Sequence, residues 1–148
     1  MIKIVSLFLF TAISLYSAGF WTLSGLEKAN IYIQNKVSVI KPSTIKTIKI
    51  KMLQILKNKS IATNQQDSPT LMLSLEELEG DETHYIYVKL SLGEEVQTFR
   101  EDKSKTFALT YDANDFIEVE NDEIDAHVLE SVNSLLLHFI EQFEDDKE

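Results

Sequence analysis

The sequence predicts an α+β two-layer sandwich in the order β-α-β-β-β-α, with two helices on one face of a mainly antiparallel sheet. Three observations carry this. Apolar residues alternate with period two in several stretches between residues 70 and 111. They recur at helical spacing in two others, over 42–59 and 121–143. The apolar stripe of the last stretch is so broad that it must lie against a second layer. A chain of 148 residues is one domain's length, and at that size a single core buries roughly 68 to 70% of the unfolded surface. No Cys is present, so disulfides, CxxC redox chemistry, Cys-type zinc sites and a lipid-modified cysteine are excluded.

The elements follow in order. Ala29 to Ile40, ANIYIQNKVSVI, alternates at Ile31 and Ile33 and again at Val37 and Val39, which predicts at least one strand. Pro42 and Ser43 open a helix whose stripe is Ile45, Ile48, Met52, Ile55 and Leu56, flanked by Lys46, Lys49, Lys51 and Lys57. That helix can serve as the crossover that makes the strands on either side of it parallel. Ser60 to Pro69 is a polar linker. Leu71, Leu73 and Leu75 mark a strand that stops at the turn Glu79-Gly80-Asp81. The next strand puts Ile86, Val88, Leu90 and Leu92 on one face and Tyr85, Tyr87, Lys89 and Ser91 on the other. Gly93 predicts a bulge or bend before Val96 to Phe99. Glu101 to Lys105 is a hairpin loop, and Thr106 to Tyr111 returns with Phe107, Leu109 and Tyr111 inward. The closing helix is capped at Asn121, carries Asp122, Glu123 and Asp125 where the helix dipole favours negative charge, and is striped by Ile124, Val128, Val132, Leu135, Phe139 and Phe143, widened by Leu129, Leu136 and Ile140. Glu144 to Glu148 reads as a frayed acidic tail.

The amino terminus carries an address. Lys3 is followed by thirteen uncharged positions, Ile4 to Tyr16, and then by the small residues Ser17-Ala18-Gly19. This is a signal-peptide layout with cleavage at 17–19, leaving residues 20–148 as the mature domain in the periplasm. The alternative is retention: Ile4 to Leu26 is 23 residues without a charge, long enough for an inner-membrane anchor with the domain facing the periplasm.

Charge divides the mature chain. The formal charge is −10 overall, but Lys28 to Lys59 carries +8 with no acid, whereas Asp67 to Glu148 carries −18. Either the two segments attract one another within the fold, or the basic face of Lys46, Lys49, Lys51 and Lys57 meets an anionic membrane component or an acidic partner. The acidic balance argues against nucleic acid, and export does so more strongly.

Candidate chemistry is sparse. His127, Ser131, Ser134 and His138 share one line of the final helix, but a helix side offers no free amides for an oxyanion, so the line reads as a solvent-facing edge. Two histidines eleven residues apart on a helix stand about 16 Å from each other and need ligands from elsewhere to hold a metal. Asp112-Ala-Asn114-Asp115 begins like a calcium loop but places Phe116 and Ile117 where an oxygen ligand and a glycine belong. Asn58-Lys59-Ser60 is a glycosylation triplet of little weight. No cofactor is expected. Tyr85 and Tyr87, with Met72 on the neighbouring strand, form a patch that is exposed if the helices cover only one sheet face.

A leader, a strand and helix over residues 29–59, the meander TLMLSLEEL, HYIYVKLSL, TFALTYD and the closing helix DAHVLESVNSLLLHFIEQF resemble small exported envelope proteins of Gram-negative bacteria. In layout the chain is similar to the outer-membrane lipoprotein family that assists lipopolysaccharide assembly, from which it departs in lacking the lipid-attachment cysteine. The resemblance rests on element order, and fold does not fix function. The expectation is a non-enzymatic periplasmic binding or assembly module that contacts an envelope protein or an anionic envelope component through Lys46, Lys49, Lys51, Lys57, Tyr85 and Tyr87. The alternative is a small metal-binding protein or enzyme that uses His127, His138 and the acidic segment.

Overall fold

Six elements build the domain in a computed structural model that describes residues 22–78 and 83–147. They are β1 (Asn30–Asn35), α1 (Pro42–Asn58), β2 (Thr70–Leu78), β3 (His84–Gln97), β4 (Lys105–Val119) and α2 (Ile124–Asp145), the last preceded by a 3-10 turn over Asn121–Glu123. The predicted signal peptide over residues 1–19 and the predicted turn at Glu79-Gly80-Asp81 lie outside the described residues. The sheet runs β1-β2-β3-β4. β1 pairs parallel to β2, as the α1 crossover requires, and β2, β3 and β4 form an antiparallel meander. The fold is therefore the α+β sandwich that the periodicities predict.

The core lies between one sheet face and both helices. Leu71, Leu73 and Leu75 of β2 stand in register with Leu92, Leu90 and Val88 of β3, and all six are buried. Ile48, Met52 and Leu56 of α1 and Val128, Val132, Leu135, Phe139 and Phe143 of α2 close over them. Each such side chain contributes roughly 1.5 to 3 kcal/mol before chain entropy is subtracted. Tyr111 of β4 meets Phe139 edge to face, with centroids 5.3 Å apart. Burial raises the Tyr111 hydroxyl to about 12, with Asp112 adding to the effect.

Opposite charges set the helices side by side in one direction. Lys41, preceding α1, pairs with Asp125 in the first turn of α2 at 3.0 Å, and Lys59, following α1, pairs with Glu144 in the last turn at 2.9 Å. Between them Lys51 donates to the Asn133 side-chain oxygen. Part of the charge division is thus satisfied within the fold.

Local chemistry corrects several expectations. The alternation at Val37 and Val39 is not strand, because Asn35 Oδ1 accepts the Val37 N–H at 3.0 Å and turns the chain; Val37 is buried and Val39 exposed. Ile45 and Ile55 flank the α1 stripe half-buried while Thr44 takes a buried place. β3 stops at Gln97, so Phe99 stands fully exposed in the hairpin loop. Phe107 and Leu109 point outward, not inward. The ladder shifts between Leu92 and Gly93, where Leu92 pairs with Tyr111 but Gly93 pairs with Leu109. Thr110 is the extra residue, and a bulge of one residue reverses the faces of everything beyond it. The Asp112 to Asp115 stretch is strand, with Asp112 and Asn114 on the outer face. The polar linker is anchored: Ala62 exchanges backbone hydrogen bonds with Glu27 and Ala29, and Ile61 is buried. The tail is docked rather than frayed at its start, because Asp146 is buried, Oδ2 accepts the Leu23 N–H at 2.8 Å, and Gln142 donates to Oδ1. No helix among the described residues is long and apolar enough to cross a membrane.

Candidate functional site

Both helices cover the same face of the sheet, which leaves the other face open. Strand periodicity decides what stands on it. One transverse row reads Tyr32, Met72, Ser91, Asp112; the next reads Asn30, Thr70, Gly93, Leu109; further along come Glu76, Tyr87, Phe116 and then Leu78, Tyr85, Glu118. Tyr32 is 53% exposed, Phe107 63% and Phe116 54%. Isolated exposed apolar residues mean little, but a contiguous set on one face marks a surface for contact.

Two clusters organise this face. At one end, Tyr85 stacks on Phe116 with centroids 6.0 Å apart and an interplanar angle of 23°. Its hydroxyl donates to Glu118 at 3.5 Å, and Tyr87 lies directly opposite Phe116 in the ladder. At the other end, the Phe107 ring lies over Gly93. A Cβ added to Gly93 would stand 2.2 Å from Phe107 Cζ and 3.0 Å from Met72 Cε. Glycine here makes room for the ring, and the Met72 side chain ends beside the same spot.

Charges on the open face cancel in place. Lys36 pairs with Glu76 at 2.7 Å, Lys89 with Asp112 at 3.2 Å and Lys105 with Glu95 at 2.7 Å. The bond from Lys105 to Glu95 raises the Lys105 pKa. Such exposed pairs add little to stability, because water screens them. Their consequence is electrostatic: Lys36, Lys89 and Lys105 each stand on this face already engaged by an acid.

The predicted site residues therefore separate onto two layers. Tyr85 and Tyr87 come together with Phe116. Met72 does not join them; it faces Ser91 beside Phe107, and the residues opposite Tyr87 and Tyr85 on β2 are Glu76 and Leu78. Lys46, Lys49 and Lys57 are exposed on α1, in the opposite layer, around the exposed Ile50. They enter none of the ion pairs found among the described residues, whereas Lys51 is engaged by Asn133.

The histidine line of α2 is not one continuous solvent edge. Ser131 is buried, while Ser134 and His138 are exposed. His127 lies 3.5 Å from Glu123, the residue before α2, and 3.9 Å from Glu130 on its own helix. His84 is bonded to Glu77 across the β2–β3 hairpin. Among the described residues no group of three or more His, Asp or Glu side chains is placed to hold a metal ion.

Sequence reasoning missed Phe107, Leu109 and Phe116 as surface residues. Gly93 was the available signal, since a bulge there flips the inward set of the strand opposite. No protein-family model matches the chain, and no curated protein matches it.

Proposed function

We propose that this protein is a non-catalytic binding domain of the bacterial envelope, whose open sheet face receives a weakly charged, apolar stretch of a partner protein. The observation that carries this reading is the pairing of Lys36, Lys89 and Lys105 with acids of the same face, around exposed Tyr32, Phe107, Leu109 and Phe116. A surface whose cations are neutralised in place selects apolar contact over anionic polymers. Aromatic residues on a rigid sheet bring large contact area at small entropic cost. Export of the domain, read from residues 1–19, supplies the compartment.

A photo-crosslinking residue at Met72 or Tyr87, with matched positions Thr47 and Gln54 on α1, tests the reading in cells. Discrete adducts from the sheet positions and none from α1 support it. Adducts from α1 alone overturn it.

A second reading rests on a separate observation, the free Lys46, Lys49 and Lys57 around Ile50. A basic rim with an apolar centre suits an anionic bilayer surface, where each lysine near the headgroups adds about 1 kcal/mol. Sedimentation with vesicles containing anionic lipid, lost on changing these lysines to Gln, is its expected result; equal sedimentation of the variant removes it.

A further inference from the structure

We propose that the outer edge of β4 is a homodimer seam, along which two copies pair antiparallel about a two-fold axis at Asp112 and join their sheets into one.

β4 is the terminal strand of the sheet, 15 residues long, and all its ladder pairing is with β3. Among the described residues no other backbone group bonds to 105–119. A long unpaired edge is a template for another strand, and proteins normally shorten, charge or cover it. Here α2 covers the inner face, and the edge remains.

Self-complementarity selects a second copy as the occupant. Thr110 adds a residue to the chain but no step to the ladder, so Lys105 and Glu118 stand equally far from Asp112, as do Phe107 and Phe116. The bulge also reverses facing, so both members of each pair lie on the open face. Without Thr110 as an extra residue, neither the spacing nor the facing would match. A two-fold at Asp112 sets Lys105 of one copy against Glu118 of the other, Phe107 against Phe116, Leu109 against Asn114 and Tyr111 against Ala113. Opposite charges and aromatic pairs directly across a ladder are the favourable combinations. The two Asp112 carboxylates that meet at the axis each arrive with a Lys89 ammonium at 3.2 Å. The cost falls at Phe116, whose N–H is held by Asp115 Oδ1 at 2.8 Å and must exchange that bond for one to the partner strand.

This seam is independent of what the sheet face binds, but it would double that face into one continuous platform. It also places Phe107 and Phe116, the most exposed rings of the two clusters, next to each other across the axis.

The absence of Cys makes the test clean. Antiparallel neighbours have Cβ atoms roughly 4.5 to 5.5 Å apart, close to what a disulfide spans after a small shift. Asp112→Cys in the full chain, mildly oxidised at about 50 µM, above the micromolar constants of modest interfaces, is expected to give a covalent dimer. Thr47→Cys, exposed on α1, is expected to stay monomeric. Adding Lys105→Glu to Asp112→Cys should weaken the dimer roughly tenfold, read from crosslink yield at protein concentrations below its dissociation constant, and adding Glu118→Lys to that variant should restore it. If Asp112→Cys does not fold, Phe107→Cys mixed with Phe116→Cys replaces it, with disulfide expected in the mixture and not in either protein alone. Equal crosslinking of Asp112→Cys and Thr47→Cys, adducts only to other proteins, or indifference to Lys105→Glu would overturn the seam.

Discussion

Asp125 of α2 caps α1 across the helix interface: its Oδ1 accepts the Thr44 hydroxyl at 2.6 Å and the Lys41 N–H at 3.1 Å. α1 has no capping side chain of its own, since Lys41 occupies the N-cap position. The first-turn amides of a helix need acceptors, and a carboxylate there also suits the helix dipole. One side chain thereby stands at the start of both helices and aligns the pair.

Replacing Asp125 with Ala should therefore cost about 1–2 kcal/mol, the usual loss for a helix cap, measured by urea unfolding. Asn, which keeps an acceptor but loses the charge, should cost less.

Acid should remove the same contribution. The Thr44 hydrogen bond, followed by those from Lys41, holds the Asp125 carboxyl below its ordinary value even though partial burial works the other way. A lowered folded pKa stabilises the fold at any pH above the unfolded value of about 3.9 and fades as pH falls through the folded one. Stability curves of the wild type and Asp125→Asn should converge below that range and separate above it.

Tyr111 gives the opposite sign at high pH. Its hydroxyl is raised to about 12, chiefly by burial. A raised pKa means that its contribution is whole below the ordinary tyrosine value of about 10 and is lost as pH climbs toward the folded one. Ultraviolet titration should show a late-ionising tyrosine, and Tyr111→Phe should abolish that late step.

Gly93→Ala should move Phe107 without unfolding the protein. The new methyl occupies the place of the ring edge, but the ring is largely exposed and can swing away. The expected stability loss is about 1 kcal/mol or less, with a large change in the Phe107 ring resonances and small changes in the core.

Most of the architecture was legible because single-period patterns dominate: Leu71, Leu73 and Leu75 could only face one way, and the stripe from Ile124 to Phe143 could only be a buried helix face. The outer rim was not. Phe107 and Leu109 look like core residues in the same alternation, and only the extra residue at Thr110 turns them out. Tyr85 and Tyr87 were legible as a surface pair because they oppose Ile86 and Val88 on an unbroken stretch. Their stacking on Phe116 depends on register between strands some thirty residues apart, which periodicity does not encode. Asp125 was legible as a residue at a helix start, but not as the cap of a different helix.

An open face that contacts a partner and is not needed for folding should tolerate Tyr32→Ser with Tyr87→Ser, two positions on β1 and β3 away from the β4 edge, carried by a protein with the photo-crosslinker at Met72. The expected result is an unfolding free energy within about 1 kcal/mol of wild type, as for surface changes, and at least a tenfold loss of adduct. An undiminished adduct from an equally stable variant would contradict it.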